Sequence, residues 1–151
     1  MKILALDVAT KTGWAHTDST GGVWDFSVKR DESGGMRLLR FKGKLKEIFA
    51  LTTVDIVVYE AARHAAPGMQ GALVVQSEMQ GVLKEWCECE KLLYKGYSPT
   101  EIKKHAIGKG RGSKDVITEA AEKRWPDIEI IDHNHADALW LLDLATKEYG
   151  E

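Results

Sequence analysis

The chain has 151 residues, 44% of them hydrophobic and 29% charged, which suits one soluble domain with its own core and leaves no room for two large lobes. No apolar run approaches the ~20 residues of a membrane span or the ~7–15 of a signal-peptide core, so a cytoplasmic protein without membrane attachment is expected. Lys and Arg total 21 against 23 Asp and Glu, a net charge of −2 that on average speaks against a basic nucleic-acid footprint.

Residues 2–8 (KILALDV) form a nearly continuous apolar run of strand length, as in a strand buried on both faces. A turn through Thr10, Lys11 and Gly13 leads to a strand near 13–17, and Gly21-Gly22 introduces a third at 23–29, an antiparallel meander. Residues 35–51 read as an amphipathic helix with Leu38, Leu39, Leu45, Ile48 and Phe49 inward, followed by an apolar strand at 54–59. Helix and then a strand with no polar face imply a crossover to a central position of the same sheet. A long helix over 70–88 carries Leu73, Val74, Met79, Val82, Leu83 and Trp86 on its apolar side. Next come a strand at 91–95, a short helix from Ser98-Pro99, a glycine-rich basic loop at 108–113 and a helix at 114–124. A short strand at 128–131 and a last helix from about 134 to 148 close a single α/β domain, 1–151, with a mixed sheet flanked by helices. The two cysteines, Cys87 and Cys89, are spaced C-x-C with no second pair, so a structural zinc site is not expected.

Two of the apolar strands end in an acid, Asp7 in ILALD and Glu60 in DIVVYE. Each alone is explained by a strand's exit into solvent. If the strands are parallel neighbours, however, both carboxylates emerge at one end of the sheet and repel each other. The third acid, Asp137, shares a helical stripe with Trp140, Leu141 and Leu144, the face that must dock on the sheet. A helix-dipole role is one explanation for it. An unpaired carboxylate buried there costs several kcal/mol, and a cation shared by the three acids removes both the cost and the repulsion. Oxygen ligands without cysteine favour Mg2+ or Mn2+, and such clusters support two-metal phosphoryl transfer.

The basic charge is segregated. Residues 102–114 (IKKHAIGKGRGSK) hold Lys103, Lys104, Lys109, Arg111 and Lys114 and no acid, which leaves 16 basic against 23 acidic side chains elsewhere. Glycines that admit backbone N–H groups to a phosphate, beside these charges, point to nucleic acid; a solvated surface loop is the plainer alternative. A second basic run, Arg37, Arg40, Lys42, Lys44 and Lys46, lies in the helix at 35–51.

The strand-borne LALDVATKTGWA and IVVYE, the stretch SPTEIKKHAIGKGRGSKDVI and the terminal NHADALWLL occur in the order and spacing of the RuvC-like Holliday-junction resolvases, RNase H-like proteins. The chain resembles the compact members encoded by phages and prophages. The resemblance implies an RNase H-like fold with a five-stranded mixed sheet, a homodimer, two Mg2+ or Mn2+ ions per site, and hydrolysis of branched DNA, the four-way junction foremost, to 5′-phosphate and 3′-hydroxyl ends. By position, Asp7, Glu60 and Asp137 match the catalytic acids. The fourth acidic position of the family is Asn134 here, a neutral ligand at most, and Asp132 is the other candidate to fill it. Lys114 sits where the family places a lysine on the phosphate backbone. Arg63, His64 and Met69 follow Glu60 where cellular members carry an aromatic wedge, so a wider range of branched substrates is expected. His133 is either a water- or phosphate-orienting group or a polar turn residue, and His135, some 200° round the helix from Asp137, is expected to face solvent. The helix at 70–88 is either core or part of a twofold interface. Three other identities compete: an actin-like sugar kinase, excluded by length; a YqgF-like nuclease of structured RNA; and a catalytically silent nucleic-acid-binding module.

Overall fold

In the computed structural model, which describes residues 1–62, 68 and 70–150, five strands form one sheet in the order β3-β2-β1-β4-β5. They are β1 (Ile3–Asp7), β2 (Lys11–His16), β3 (Gly21–Asp25), β4 (Ile56–Glu60) and β5 (Leu93–Tyr97). The helices are α1 (Gly35–Leu51), α2 (Gln70–Cys89), α3 (Pro99–Ile107), α4 (Lys114–Arg124) and α5 (His133–Tyr149). β1, β2 and β3 make the antiparallel meander, and β4 and β5 join β1 in parallel. The α/β class, the mixed five-stranded sheet and the central positions of β1 and β4 follow the sequence reading.

Strand alternation divides the core into two layers. Leu4, Leu6, Val57 and Tyr59 face Phe41 and Leu45 of α1 and Met79, Leu83 and Trp86 of α2. Ile3, Ala5, Ile56 and Val58 face Ile102 of α3, Ile117 of α4 and Trp140, Leu141 and Ala145 of α5. β1 is therefore covered on both sides and wholly buried, which explains its unbroken apolar run.

The segment 128–131 is not a strand. Ile128 closes a turn on Trp125, Ile131 is 62% exposed, and with no ladder to join the segment leads irregularly into the start of α5. β5 begins two residues later than expected because α2 ends in a Schellman motif: the Leu92 N–H donates to Cys87 O and the Lys91 N–H to Glu88 O, with Lys91 at φ 57°. The position after such a helix end is commonly glycine, and lysine there conceals the stop. β3 runs over 21–25 rather than 23–29; beyond it the Ser27 N–H turns back to the Asp25 carboxylate and Phe26 O accepts from Arg37 Nε. Leu39 and Val74, expected on inward faces, are exposed; Phe41, four residues from Leu45, takes the inward position on α1. Among the described residues, no helix is long and apolar enough to cross a membrane.

Candidate active site

The site is assembled at the carboxyl ends of the two central strands. Asp7 shares the face of β1 carrying Ile3 and Ala5, and Glu60 the face of β4 carrying Ile56 and Val58, by the period of two. The parallel register that pairs Leu6 with Tyr59 brings Asp7 beside Glu60, and both look towards the layer in which α5 lies. α5 brings Asp137, one turn in from its N-terminus, to the same place. Asp7 is only 7% exposed.

Burial pushes the Asp7 carboxyl well above its ordinary range, with Asp137 and then Glu60 adding repulsion and Lys114 opposing it. Burial likewise raises Glu60, opposed by Lys103. Asp137 is raised to about 7 by burial and by Glu60, against the pull of Lys103 and Lys114, and Asp132 adds a smaller repulsion. Three carboxylates from three elements thus disfavour one another's charge, with two lysines as counterweight. Among the described residues no three carboxylates, histidines or cysteines are gathered as a ready-made metal centre. The donor chemistry nevertheless fits a hard divalent cation: oxygen ligands, a buried setting, and a charge excess that such an ion relieves.

These raised values fix how stability responds to pH. Above the ordinary carboxyl pKa near 4 the unfolded chain releases these protons, whereas the folded chain holds that of Asp137 until about pH 7. The folded state therefore binds more protons in that interval, and the metal-free protein should lose stability as pH rises from about 4 to about 7. Each tenfold difference in proton affinity is worth about 1.4 kcal/mol. Because Mg2+ binds the ionised form, the rise in Tm on saturation with Mg2+ should be larger at about pH 8 than at about pH 6, which thermal denaturation at the two values measures. An equal rise at both would contradict the assignment.

Gly13 governs how closely α5 approaches. It pairs with Asp7 across the β1–β2 ladder, and a Cβ on it would stand 1.8 Å from the Asn134 carbonyl oxygen and 2.9 Å from the His135 nitrogen. The first turn of α5 rests directly on the β2 backbone, a contact only glycine allows. Asp132 caps that turn, its carboxylate accepting from the His135 N–H at 3.0 Å. Asn134 Nδ2 reaches the second oxygen of Asp132 at 3.4 Å, and Asn134 lines a cavity of about 230 Å³ with Thr10, Lys11 and Val75. Of the two candidates for the fourth position, Asp132 is near enough to add repulsion at Asp7 and Asp137 and already has a structural task, while the Asn134 amide is turned to Asp132. Replacing Asp132 by Ala should cost about 1 kcal/mol through the lost cap, and Asp132→Asn much less; equal losses in denaturant unfolding would show that the carboxylate charge matters more than the cap.

His135 does not face solvent. It is 3% exposed, its Nδ1 accepts from the Ile131 N–H at 3.2 Å, and Gly21 leaves the space its ring fills. The helix face opposite Asp137 is closed by β3 and by the chain leading into α5, and burial lowers the His135 pKa. A cavity of about 440 Å³ beside it, between the β2–β3 turn and α5, includes Trp125, Leu139 and Asp143 but none of the three acids.

Of the basic residues, Lys103 and Lys114 act on the carboxylates, while Lys104, Lys109 and Arg111 lie exposed on the adjoining surface. Gly108, at φ 80°, closes α3 with its N–H donating to Lys104 O, and Ser113 caps α4, so the loop between the two helices is held at both ends. Lys114 is the first residue of α4, where the helix dipole disfavours a cation; its place there is explained by the acids it opposes. The second basic run is partly spent on structure, since Arg37 donates to Phe26 O, Arg40 pairs with Glu32, and Lys44 lies 3.4 Å from Glu47. Arg63, His64 and Met69 lie outside the described residues.

Three residues have roles in the site that the sequence reading does not assign. Gly13, read as part of the turn into the second strand, lies inside β2 and had a further signal, an isolated glycine within a strand pattern. Thr12 bonds Ala9 O at 2.6 Å and ties the turn after Asp7. Gln80 of α2 is 5% exposed, and its amide holds the main chain at Glu60 O and at the Ala62 N–H; nothing local distinguished it from the apolar residues around it.

No protein-family model and no curated protein sequence matches the chain. Solved structures do. RuvC of Thermus thermophilus in complex with a Holliday-junction substrate superposes with a TM-score of 0.71 at 14% identity, over 93% of this chain and 90% of that one. A second Thermus thermophilus RuvC structure gives 0.68 at 14% identity over the same shares, and the yeast mitochondrial Holliday-junction resolvase Ydc2 gives 0.63 at 11% identity, over 98% of this chain and 81% of that one. The chain has the RNase H-like α/β fold of the RuvC-type resolvases.

Proposed function

We propose that the chain is a divalent-metal-dependent endonuclease of branched DNA, with the four-way junction as its foremost substrate. The observation that carries this is the convergence of Asp7, Glu60 and Asp137 from β1, β4 and α5, opposed by Lys103 and Lys114. The likeness of fold to junction resolvases supports it.

In this reading Asp7, Glu60 and Asp137 would hold two Mg2+ or Mn2+ ions, with Asp132 or Asn134 at the fourth position. Bound there, the ions supply activation of the attacking water and neutralise charge on the leaving oxygen. The protein's own part is positional. β1 and β4 set two acids side by side, Gly13 admits α5 so that Asp137 meets them, and Lys103 and Lys114 offset the acids while Lys104, Lys109 and Arg111 line the approach of the phosphate backbone. Cleavage leaves 5′-phosphate and 3′-hydroxyl ends. The whole chain, 1–151, acts as one domain in the cytoplasm of a bacterial or phage-infected cell, and a homodimer, with α2 at the twofold interface, places two sites for symmetric cuts.

The test is cleavage of a panel comprising a four-way junction, a flap, a fork, an RNA–DNA hybrid and a structured RNA, in Mg2+ and in Mn2+. Cutting of branched DNA is expected. Cutting of structured RNA alone would transfer the protein to the RNA-processing class, and binding without cleavage in either metal would make it a silent module. Replacing Lys114 by Ala should lower cleavage and reduce the slope of log affinity against log salt by about one; an unchanged slope in binding titrations would show that this lysine does not meet phosphate.

A further inference from the structure

We infer that Gln80 is a positioning residue of the site, acting on Glu60 through the main chain from the layer opposite α5. The inference rests on the nuclease assignment above.

Gln80 sits on the buried side of α2 between Met79 and Leu83, all three among the residues that pack α2 onto the sheet. A primary amide there is costly unless both ends are satisfied. Both are: Nε2 donates to Glu60 O at 2.8 Å, and Oε1 accepts from the Ala62 N–H at 3.2 Å. A methionine or leucine would fill the same volume without that demand, so the amide's use lies in what it grips. Glu60 is the last residue of β4, where the ladder to β5 ends with the Ala61 N–H donating to Tyr97 O at 2.8 Å. One residue further the chain leaves the sheet. Gln80 takes up the two main-chain groups that flank this exit, the carbonyl of Glu60 and the amide two residues on.

The consequence is geometric. The Glu60 side chain projects towards α5 and meets repulsion from Asp7 and Asp137. The peptide that follows Glu60 is held at its N–H by Tyr97 O of β5 and at its carbonyl by Gln80, so the strand end is braced from both sides against that repulsion. The same grip fixes where the segment leading from Glu60 to α2 begins.

The test compares wild type with Gln80→Leu and Gln80→Glu. Gln80→Leu removes both bonds at similar volume; Gln80→Glu keeps an acceptor for the Ala62 N–H and replaces the donor to Glu60 O with a repelling oxygen. In the metal-free protein, amide hydrogen exchange at Ala62 should be at least about tenfold faster in Gln80→Leu and nearly unchanged in Gln80→Glu. In cleavage assays both should lose roughly tenfold or more in kcat with KM held, and calorimetric titration with Mn2+ should show weaker binding in both, in the range of about 10–100-fold typical of lost support for a ligand. Wild-type exchange at Ala62 together with wild-type kcat and Mn2+ affinity in Gln80→Leu would overturn the inference. If Gln80→Leu does not fold, unchanged kcat and Mn2+ affinity in Gln80→Glu would overturn it. A wild type that cuts nothing in the panel would refute the nuclease assignment instead, leaving exchange at Ala62 and Mn2+ binding to decide the role of Gln80.

Discussion

Replacing Gly13 by Ala is expected to be among the most damaging single-methyl additions in the molecule. The new Cβ has no room, because it meets the Asn134 carbonyl at 1.8 Å and that carbon's own neighbour, the His135 nitrogen, at 2.9 Å. These are backbone atoms of the first turn of α5, which no side-chain rotation can clear. Either β2 bends away from β1, where Gly13 pairs with Asp7, or the start of α5 lifts. Overpacking costs typically about 1–3 kcal/mol where side chains can yield, so a clash with main chain should reach roughly 3 kcal/mol or more. Lifting α5 also withdraws Asp137 from Asp7 and Glu60, and a displacement of about 1 Å at a reacting centre costs on the order of 100-fold in rate. Denaturant unfolding and cleavage of a four-way junction measure the two effects; a variant with wild-type stability and rate would show that the helix does not rest on the strand as described.

Asp7→Asn is expected to abolish cleavage, by roughly 1000-fold or more, while raising the stability of the metal-free protein. The two effects have one origin. Asp7 is the most buried of the three acids, and its charge is disfavoured by burial, by Asp137 and by Glu60. A neutral amide of the same shape relieves that unfavourable charge and at the same time removes the oxygen ligand that two ions would share. The stabilisation should be absent at about pH 4, where Asp7 is protonated in the folded chain, and grow as pH rises. Its companion in solution is a smaller rise in Tm with Mg2+ than wild type shows. Single-turnover rates and thermal denaturation across pH check both; an Asn variant that cuts as wild type does would remove Asp7 from the site.

Much of this site could be read from the chain because burial on both faces leaves an unmistakable mark. β1 and β4 are continuous apolar runs, so an acid at the end of each stood out, and Asp137 stood out against the apolar stripe of α5. Their convergence also depends on sheet order, which strand composition does not encode; it was inferred from the helix crossover between β3 and β4 and from the resemblance in motif spacing. Other features depend on single contacts between distant segments. Gly13 looks like a weak strand residue until the carbonyl of Asn134 is seen against it. Gln80 is one polar residue on a buried face until the ends of its amide are traced to Glu60 and Ala62. The choice between Asp132 and Asn134 turns on where α5 begins, a matter of one or two residues that capping alone decides. His135 is buried against expectation for a related reason: helical angle locates a side chain relative to Asp137, not relative to the chain leading into α5 that covers the other face. The apparent strand at 128–131 failed because apolar composition without a partner edge does not make a ladder.

Whether Asp7, Glu60 and Asp137 together bind divalent metal is measured most directly by an anomalous-difference map from crystals of the wild-type protein soaked in Mn2+ at about pH 8, above the value of about 7 to which Asp137 is raised. Two peaks among these three carboxylates, with Asp7 between them, are predicted. A map with no Mn2+ at these side chains, or with Mn2+ bound only elsewhere on the molecule, would contradict the account.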